Sequence, residues 1–220
     1  MGTYNISMTY RLSRPFAVTV SVAACAAVAA ILGRAVAEGG TLRVDTAILD
    51  AIHRHASPMF DRMAAFASFA GGPGVVAVAL ALVVYVFVRG ARREAAIMAI
   101  GMIVAELLDL VLKELFDRVR PDLWLRAAVS GESFPSGHAL ASTVIYGLVA
   151  YTVARRWPGH TMLIGAIAAF VVAAIAFSRL YLGVHWPSDV VAGVAIGYLC
   201  LTATILIARR SSARVRARRP

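Results

Sequence analysis

Long apolar segments recur along this chain, and they constrain its fold more than any other feature. Six of them approach the roughly 20 residues that an α-helix needs to cross the hydrocarbon core of a bilayer. They cover residues 16–32, 73–91, 95–112, 138–154, 161–177 and 190–208. Of the 220 residues, 60% are hydrophobic and only 15% are charged. The hydrophobic fraction is higher, and the charged fraction lower, than in ordinary soluble domains. The sequence predicts an all-α, polytopic membrane protein that forms one six-helix bundle over residues 1–220.

The first apolar run has a second interpretation. Arg11 and Arg14 precede it, and the tripeptide AVA at 35–37 resembles a small-residue cleavage site, so a removed signal peptide is the alternative to a retained helix. The run is longer than the usual apolar part of a signal peptide, and Arg34 interrupts its end. Both features favour a retained helix.

The net charge of +10 does not indicate a nucleic-acid partner. Six basic residues crowd into the tail RRSSARVRARR, and no stripe of basic and aromatic side chains accompanies them. A basic tail after an apolar helix is typical of contact with anionic lipid head groups, so we expect a basic cytoplasmic tail at 209–220. Cys25 and Cys200 lie inside apolar runs, where a small buried hydrophobe is the simplest interpretation.

The arginines divide the connections between the apolar runs into two classes. The short connections RGARRE and RRWPGH and both terminal segments carry basic residues with almost no acid. The other connections balance basic and acidic residues, and the stretch 34–62 is predicted to be an outer loop with a short amphipathic helix. Since basic residues in short loops favour the cytoplasmic side, we expect both termini in the cytoplasm. The protein would then be a multi-pass protein of the inner (plasma) membrane, with its polar cluster facing the periplasm or the cell exterior.

Polar residues of catalytic type fall at the outer ends of helices three to six. Three cations without a matching run of acids indicate an anionic ligand, and two histidines indicate proton transfer or nucleophilic attack near neutral pH. The residues concerned are Lys113, Arg120, Ser136, His138, Arg179, His185 and Asp189.

Each group also has a structural interpretation. Lys113 and Arg120 could be snorkelling or loop charges. Ser136 could cap the fourth helix, or it could join Gly137 and the first free amides of that helix in holding a phosphate. His185 and Asp189, one helical turn apart, could form a structural tie or a nucleophilic imidazole oriented by a carboxylate.

Two further acids and two further histidines need an explanation. Asp109 lies four residues before Lys113 and is expected to hold its ammonium group. Glu106 lies deeper in the same apolar run and has no predicted partner. His53 and His55 share a loop with no further ligand candidate, so we interpret them as surface residues and predict no metal site.

Three motifs carry a resemblance to a known family. They are K-x6-R-P at 113–121, P-S-G-H at 135–138 and S-R-x5-H-x3-D at 178–189. In this order they are similar to the three-part signature of the type 2 phosphatidic acid phosphatase superfamily.

The resemblance implies a phosphatase that needs no metal or other cofactor and that acts on a lipid phosphate within the membrane. His185 would be the nucleophile, Asp189 would orient it, and His138 would protonate the leaving oxygen. The phosphoryl oxygens would be bound by Lys113, Arg120, Ser136, Gly137 and Arg179. Substrates of the undecaprenyl diphosphate, phosphatidylglycerophosphate or phosphatidic acid type are implied, and the sequence does not choose among them.

Two other functions compete with a phosphatase. A small transporter also has six helices, but its binding site is expected near the midplane with broken helices and an internal repeat. A membrane serine hydrolase could use Ser136, His185 and Asp189, but it would not need three cations around the nucleophile.

Overall fold

The computed structural model describes the backbone of residues 6–124 and 131–217 and the side chains of 17–124 and 131–211. Within these ranges the secondary structure is entirely helical, which confirms the predicted all-α class. The helices are α1 (Ile6–Ala37), α2 (Leu42–His53), α3 (Pro58–Gly71), α4 (Pro73–Val88), α5 (Arg92–Phe116), α6 (Gly137–Arg156), α7 (Thr161–Tyr181) and α8 (Pro187–Ala217). A short 3₁₀ turn, Pro158–His160, precedes α7.

Six helical segments are long and apolar enough to cross a membrane, as predicted. They are Ala17–Ala37, Pro58–Val88, Arg92–Phe116, Gly137–Arg156, Pro158–Tyr181 and Pro187–Ser211. The last four extend beyond both ends of their predicted runs, whereas the first begins at Ala17 and the second ends at Val88, short of the predicted 91.

The second crossing differs most from the prediction. It begins at Pro58, inside the stretch that was expected to be a loop, and consists of α3 followed directly by α4. Ser57 caps α3 by accepting a hydrogen bond from the amide of Phe60 at 3.4 Å, and Pro58 suits a first helical turn. Gly72 and Pro73 separate the two helices, since proline has no amide hydrogen to continue the ladder.

The amphipathic helix expected within 34–62 is present as α2. Leu49 and Asp45 are buried on one face, whereas Val44 and Ile48 are exposed on the other. α2 packs against α7 and α8. It therefore lies beside the two helices that flank the S-R-x5-H-x3-D motif.

Close packing between α6 and α8 fixes the centre of the bundle. A Cβ atom added to Gly193 would lie 2.6 Å from the carbonyl oxygen of Ser136, and one added to Gly197 would lie 2.7 Å from that of Leu140. Small residues allow membrane helices this approach. The amide of Ser136 donates to the carbonyl of Asp189 at 3.0 Å, so the first turns of α6 and α8 lie side by side.

The first and last helices pack against each other. α1 packs along α8, and the Ser21 and Tyr198 hydroxyls are 2.7 Å apart. Beyond residue 211 the side chains of the expected basic tail lie outside the described residues, as do the side chains of Arg11 and Arg14. Cys25 and Cys200 are free and partly buried.

Candidate active site

The predicted polar residues meet at one end of the bundle, where α5 and α7 end and α6 and α8 begin. Ser136, Arg179, His185 and Asp189 are all buried there. The loop before α8 turns at Gly183, whose φ of +66° favours glycine, and it delivers His185 to the site.

The two ring nitrogens of His185 have different partners. Nδ1 lies 2.8 Å from the carbonyl oxygen of Ser133, and Nε2 lies 3.1 Å from Nη1 of Arg120. A carbonyl oxygen can only accept, so Nδ1 must carry the proton. In the neutral ring Nε2 therefore keeps its lone pair and points toward the guanidinium group.

Burial lowers the pKa of His185 to about 4, with Arg120 acting in the same direction and Asp189 opposing it. The ring is thus neutral at physiological pH. Burial also lowers the pKa of Arg120, while Asp189 raises it.

Asp189 does not make the direct hydrogen bond to His185 that the sequence suggested. Its Oδ2 is 3.6 Å from Nδ1, too far for a hydrogen bond, and accepts instead from the Trp186 amide at 2.9 Å and from the Ser133 hydroxyl. Ser133 thus joins the two residues, because its hydroxyl contacts the carboxylate and its carbonyl holds the imidazole.

A second guanidinium group, which sequence reasoning did not single out, contacts the other side of Asp189. Arg118 donates to Asp189 Oδ1, to Asp45 Oδ2 at 2.7 Å and to the hydroxyl of Thr41 at 2.8 Å. The Ser188 amide and hydroxyl donate to Asp45 at 2.9 and 2.6 Å. We call these interactions the α2 latch, since they join α2 to the start of α8.

The ammonium group of Lys113 pairs with Asp109, as expected from their spacing. Both side chains face the first residue of α6. A Cβ atom at Gly137 would lie 2.8 Å from Asp109 Oδ2 and 3.1 Å from Lys113 Nζ. A side chain at this position would displace the ion pair from the start of the helix.

Arg120 and Arg179 point into the bundle rather than outward to the interface. Arg120 donates to the carbonyl oxygens of Val184, Gly131 and Glu132 at 2.7, 2.9 and 3.0 Å. Arg179 is only 4% exposed and donates through Nη1 to Ser68 on α3, while its Nε has no partner among the described residues. These geometries do not fit snorkelling side chains.

Ser136 occupies the N-cap position of α6 but does not cap it. Its hydroxyl makes no capping hydrogen bond and is buried without a partner among the described residues. One residue inside the helix, His138 lies against the break between α3 and α4. A Cβ atom added to Gly72 would lie 3.0 Å from its Nε2.

Of the remaining polar residues, His53 is placed differently from the sequence-based expectation. His53 is partly buried and stacks on Trp124, with ring centroids 3.9 Å apart, so it is not a simple surface residue, whereas His55 is exposed. Glu106 is exposed on α5 and forms no ion pair within the described chain. Among the described residues no three His, Cys, Asp or Glu side chains are grouped to hold a metal ion.

The part of the chain that carries this site is similar in sequence to known proteins. The sequence profile of the PAP2 superfamily matches residues 94–213. The chain is 38% identical over 96 residues to phosphatidylglycerophosphatase B of Bacillus subtilis. The matched segment covers 42% of this chain and 47% of that protein. It is 36% identical over 100 residues to an undecaprenyl-diphosphatase of Sulfolobus acidocaldarius. That matched segment covers 44% of this chain and 45% of that protein. These matches span about half the length of the two curated relatives.

A solved structure is similar over most of the bundle. The crystal structure of a transmembrane PAP2-type phosphatidylglycerolphosphate phosphatase from Bacillus subtilis superposes with a TM-score of 0.76 at 26% sequence identity. The match covers 86% of this chain and 96% of that one. The profile covers the segment from α5 to α8, in which most of the described site residues lie.

Proposed function

Because the chain belongs to the PAP2 superfamily, we propose that it hydrolyses a phosphomonoester or diphosphate of a membrane lipid through a phosphohistidine intermediate on His185. The tautomer of His185 is the observation that carries this proposal. Nδ1 donates to the Ser133 carbonyl, which leaves the Nε2 lone pair beside Arg120. A neutral imidazole held in this way is a competent nucleophile.

In the first step Nε2 of His185 attacks phosphorus, and the bond from phosphorus to the leaving oxygen breaks. The electron pair goes to that oxygen, which takes a proton from His138. Lys113, Arg120 and Arg179 stabilise the charge spread over the non-bridging oxygens, and catalysis consists largely of this positioning and electrostatic stabilisation. The unpartnered Ser136 hydroxyl and the free amides of α6 at Gly137 would complete the set of donors.

In the second step water attacks the phosphohistidine. Its proton passes to His138, the bond between nitrogen and phosphorus breaks, and its electron pair returns to Nε2. Inorganic phosphate then leaves. The other product, a lipid alcohol from a phosphomonoester or a lipid monophosphate from a diphosphate, has already left in the first step. Asp189 acts through Ser133 and the Trp186 amide, which fix the orientation of the imidazole.

The position of the site at helix ends supports a lipid substrate. A head group can reach these ends while its tails remain in hydrocarbon, and six segments of spanning length surround it. From the arginines of the short loops we infer that both termini are cytoplasmic and that the site faces the periplasm or cell exterior. Undecaprenyl diphosphate, phosphatidylglycerophosphate and phosphatidic acid are the substrates to test.

Phosphate release by the purified protein tests the proposal. The protein would be incubated in chelator with the three lipid phosphates, and we expect multiple turnovers on at least one of them. His185→Ala should abolish release while the variant remains folded. Failure with every lipid, or turnover that survives His185→Ala, would refute the proposed reaction, and a requirement for added divalent metal would refute metal independence.

Inhibitors separate the phosphatase from a serine hydrolase. Vanadate, a mimic of the phosphoryl transition state, should inhibit turnover. A fluorophosphonate should leave Ser136 unlabelled, because no hydrogen bond joins its hydroxyl to a base among the described residues. Stoichiometric labelling of Ser136 with loss of activity would favour the hydrolase.

A further inference from the structure

A second site lies at the end of the bundle opposite the candidate active site. There the N-terminal end of α5 meets the C-terminal ends of α4 and α6. Glu94 and Lys113 are roughly 28 Å apart along α5 at the helical rise of about 1.5 Å per residue. Nothing in the proposed reaction uses the residues at this end.

Two cavities adjoin here and differ in character. One, of about 400 Å³, is an apolar cleft between α4 and α6 whose walls include Val78, Leu82, Val149 and Trp157. The other, of about 210 Å³, is lined by Arg89, Glu94, Arg155 and Arg156. Tyr85, Thr152 and Arg156 line both cavities, so the cleft and the arginine-lined space are adjacent.

The arginine-lined cavity carries an excess of positive charge. Glu94 pairs with Arg155, which also stacks on Tyr151. This pairing uses the only acid among the lining residues, and the guanidinium groups of Arg89 and Arg156 form no ion pair or hydrogen bond within the described chain. Two guanidinium groups are thus available to an anion from outside the protein.

The apolar cleft determines what kind of anion fits. Val78 to Tyr85 extends about 10 Å along α4 at the helical rise, the length of several methylene groups. A hydrated ion or a soluble anion would leave these apolar walls uncovered. Trp157 is 56% exposed at the end of the cleft, and tryptophan is enriched at the level of the lipid head groups. The charge favours a phosphate, and the cleft favours an acyl chain attached to it.

We propose that this pair of cavities binds one anionic phospholipid, with an acyl chain in the α4–α6 cleft and its phosphate between Arg89 and Arg156. In the orientation inferred above, this lipid belongs to the cytoplasmic leaflet. Its binding does not depend on the phosphatase reaction. A phosphodiester lipid such as phosphatidylglycerol fits the site and is not a phosphomonoester substrate.

Native mass spectrometry of the detergent-purified protein tests this site. With phosphatidylglycerol and phosphatidylcholine in equal amounts, we expect one phosphatidylglycerol to be retained at least tenfold in preference to phosphatidylcholine. Arg89→Gln/Arg156→Gln should remove this preference. Ala81 also lines the cleft, so Ala81→Phe, which fills it, should weaken the retention of both lipids.

Arg92→Gln provides the matched control. Arg92 lies at the same end but stacks on Phe87 instead of lining either cavity, so its substitution should preserve the preference. Equal loss in this control, or an unchanged preference in the double variant, would overturn the proposal. Displacement of the lipid by an equal concentration of glycerol 3-phosphate, which has the charge without the tails, would overturn the assignment to a lipid.

Discussion

The protonation of one imidazole distinguishes a nucleophile from a buried structural histidine. The carbonyl of Ser133 fixes the proton of His185 on Nδ1, and burial lowers its pKa from the ordinary value of about 6.5 to about 4. Because the folded-state pKa is the lower one, the ring stays neutral until the pH falls through about 4. The associated stability is complete above about 6.5 and declines as the pH falls toward 4.

We therefore expect ¹⁵N histidine spectra to show His185 as the Nδ1–H tautomer and to show no titration between pH 8 and pH 5. The spectrum of His185→Ala assigns the signal. A ring that titrates near 6.5, or one that carries its proton on Nε2, would contradict the geometry.

Substitutions of His138 and His185 should have different effects when the leaving group of the substrate is varied. General acids typically contribute about 10² to 10⁴ in rate, and an activated aryl phosphate needs little protonation to leave. His138→Ala should therefore still be phosphorylated by an aryl phosphate and should stall afterwards, because the water is no longer activated. Rapid mixing should show a burst of about one aryl alcohol per active site and an acid-labile phosphate on His185.

His185→Ala is the control for this experiment and should give neither burst nor label. If it formed a phosphoenzyme, or if the label in His138→Ala mapped to Ser136, the assignment of roles would be wrong even though the chain is a PAP2 protein.

At the scale of elements, the break between α3 and α4 supports the position of His138. A methyl group on Gly72 would come within 3.0 Å of His138 Nε2 and 3.4 Å of the Ser68 carbonyl oxygen. Gly72→Ala should lower turnover of a lipid phosphate at least about tenfold, by analogy with the loss of a general acid, yet leave the aryl phosphate burst intact. Gly165→Ala, where nothing lies within 4 Å, should behave as wild type. Equal loss of turnover and burst would show a general distortion instead.

The α2 latch is an element-scale contact with a large expected effect on stability. Arg118 is 9% exposed and neutralises two almost fully buried carboxylates, those of Asp45 and Asp189. Arg118→Met should destabilise by about 3–5 kcal/mol and lower Tm in detergent by roughly 10 °C, because it leaves these charges unpaired. Arg34→Gln breaks an exposed pair and should cost less than about 1 kcal/mol. A Tm for Arg118→Met within a degree of wild type would contradict the latch.

The sequence predicted the elements better than the contacts between them. Helical spans follow from apolar length, and motif residues at their ends can be expected to meet when the ends share one side of the membrane. α3 escaped detection because Asp61, Arg62 and the Gly71–Pro73 break resemble loop composition. Arg118 and Asp45 could not be paired in advance, since they are 73 positions apart and only the packing of α2 brings them together.

At the scale of the whole molecule, the prediction to test is the orientation of the protein in the membrane. The connection after α5 should face outward and the one before it inward, since the short loops carry several arginines and almost no acid. In a variant without Cys25 and Cys200, a membrane-impermeant thiol reagent on intact cells should label Asp122→Cys and spare Arg92→Cys. Both positions are exposed, so accessibility alone does not distinguish them. The reverse labelling pattern would place the site in the cytoplasm.

The cationic surroundings of His185 also govern how a reaction cycle ends. Arg120 and Arg179 place positive charge near the His185 ring, and Lys113 lies beside the first residue of α6. The Arg179 Nε and the Ser136 hydroxyl have no partner in the described chain. Groups arranged to bind a phosphoryl transition state also attract the free phosphate that hydrolysis leaves behind. If the proposed reaction holds, we expect product departure to be a barrier of its own, inorganic phosphate to act as a competitive inhibitor, and protein purified in phosphate buffer to start each assay partly occupied.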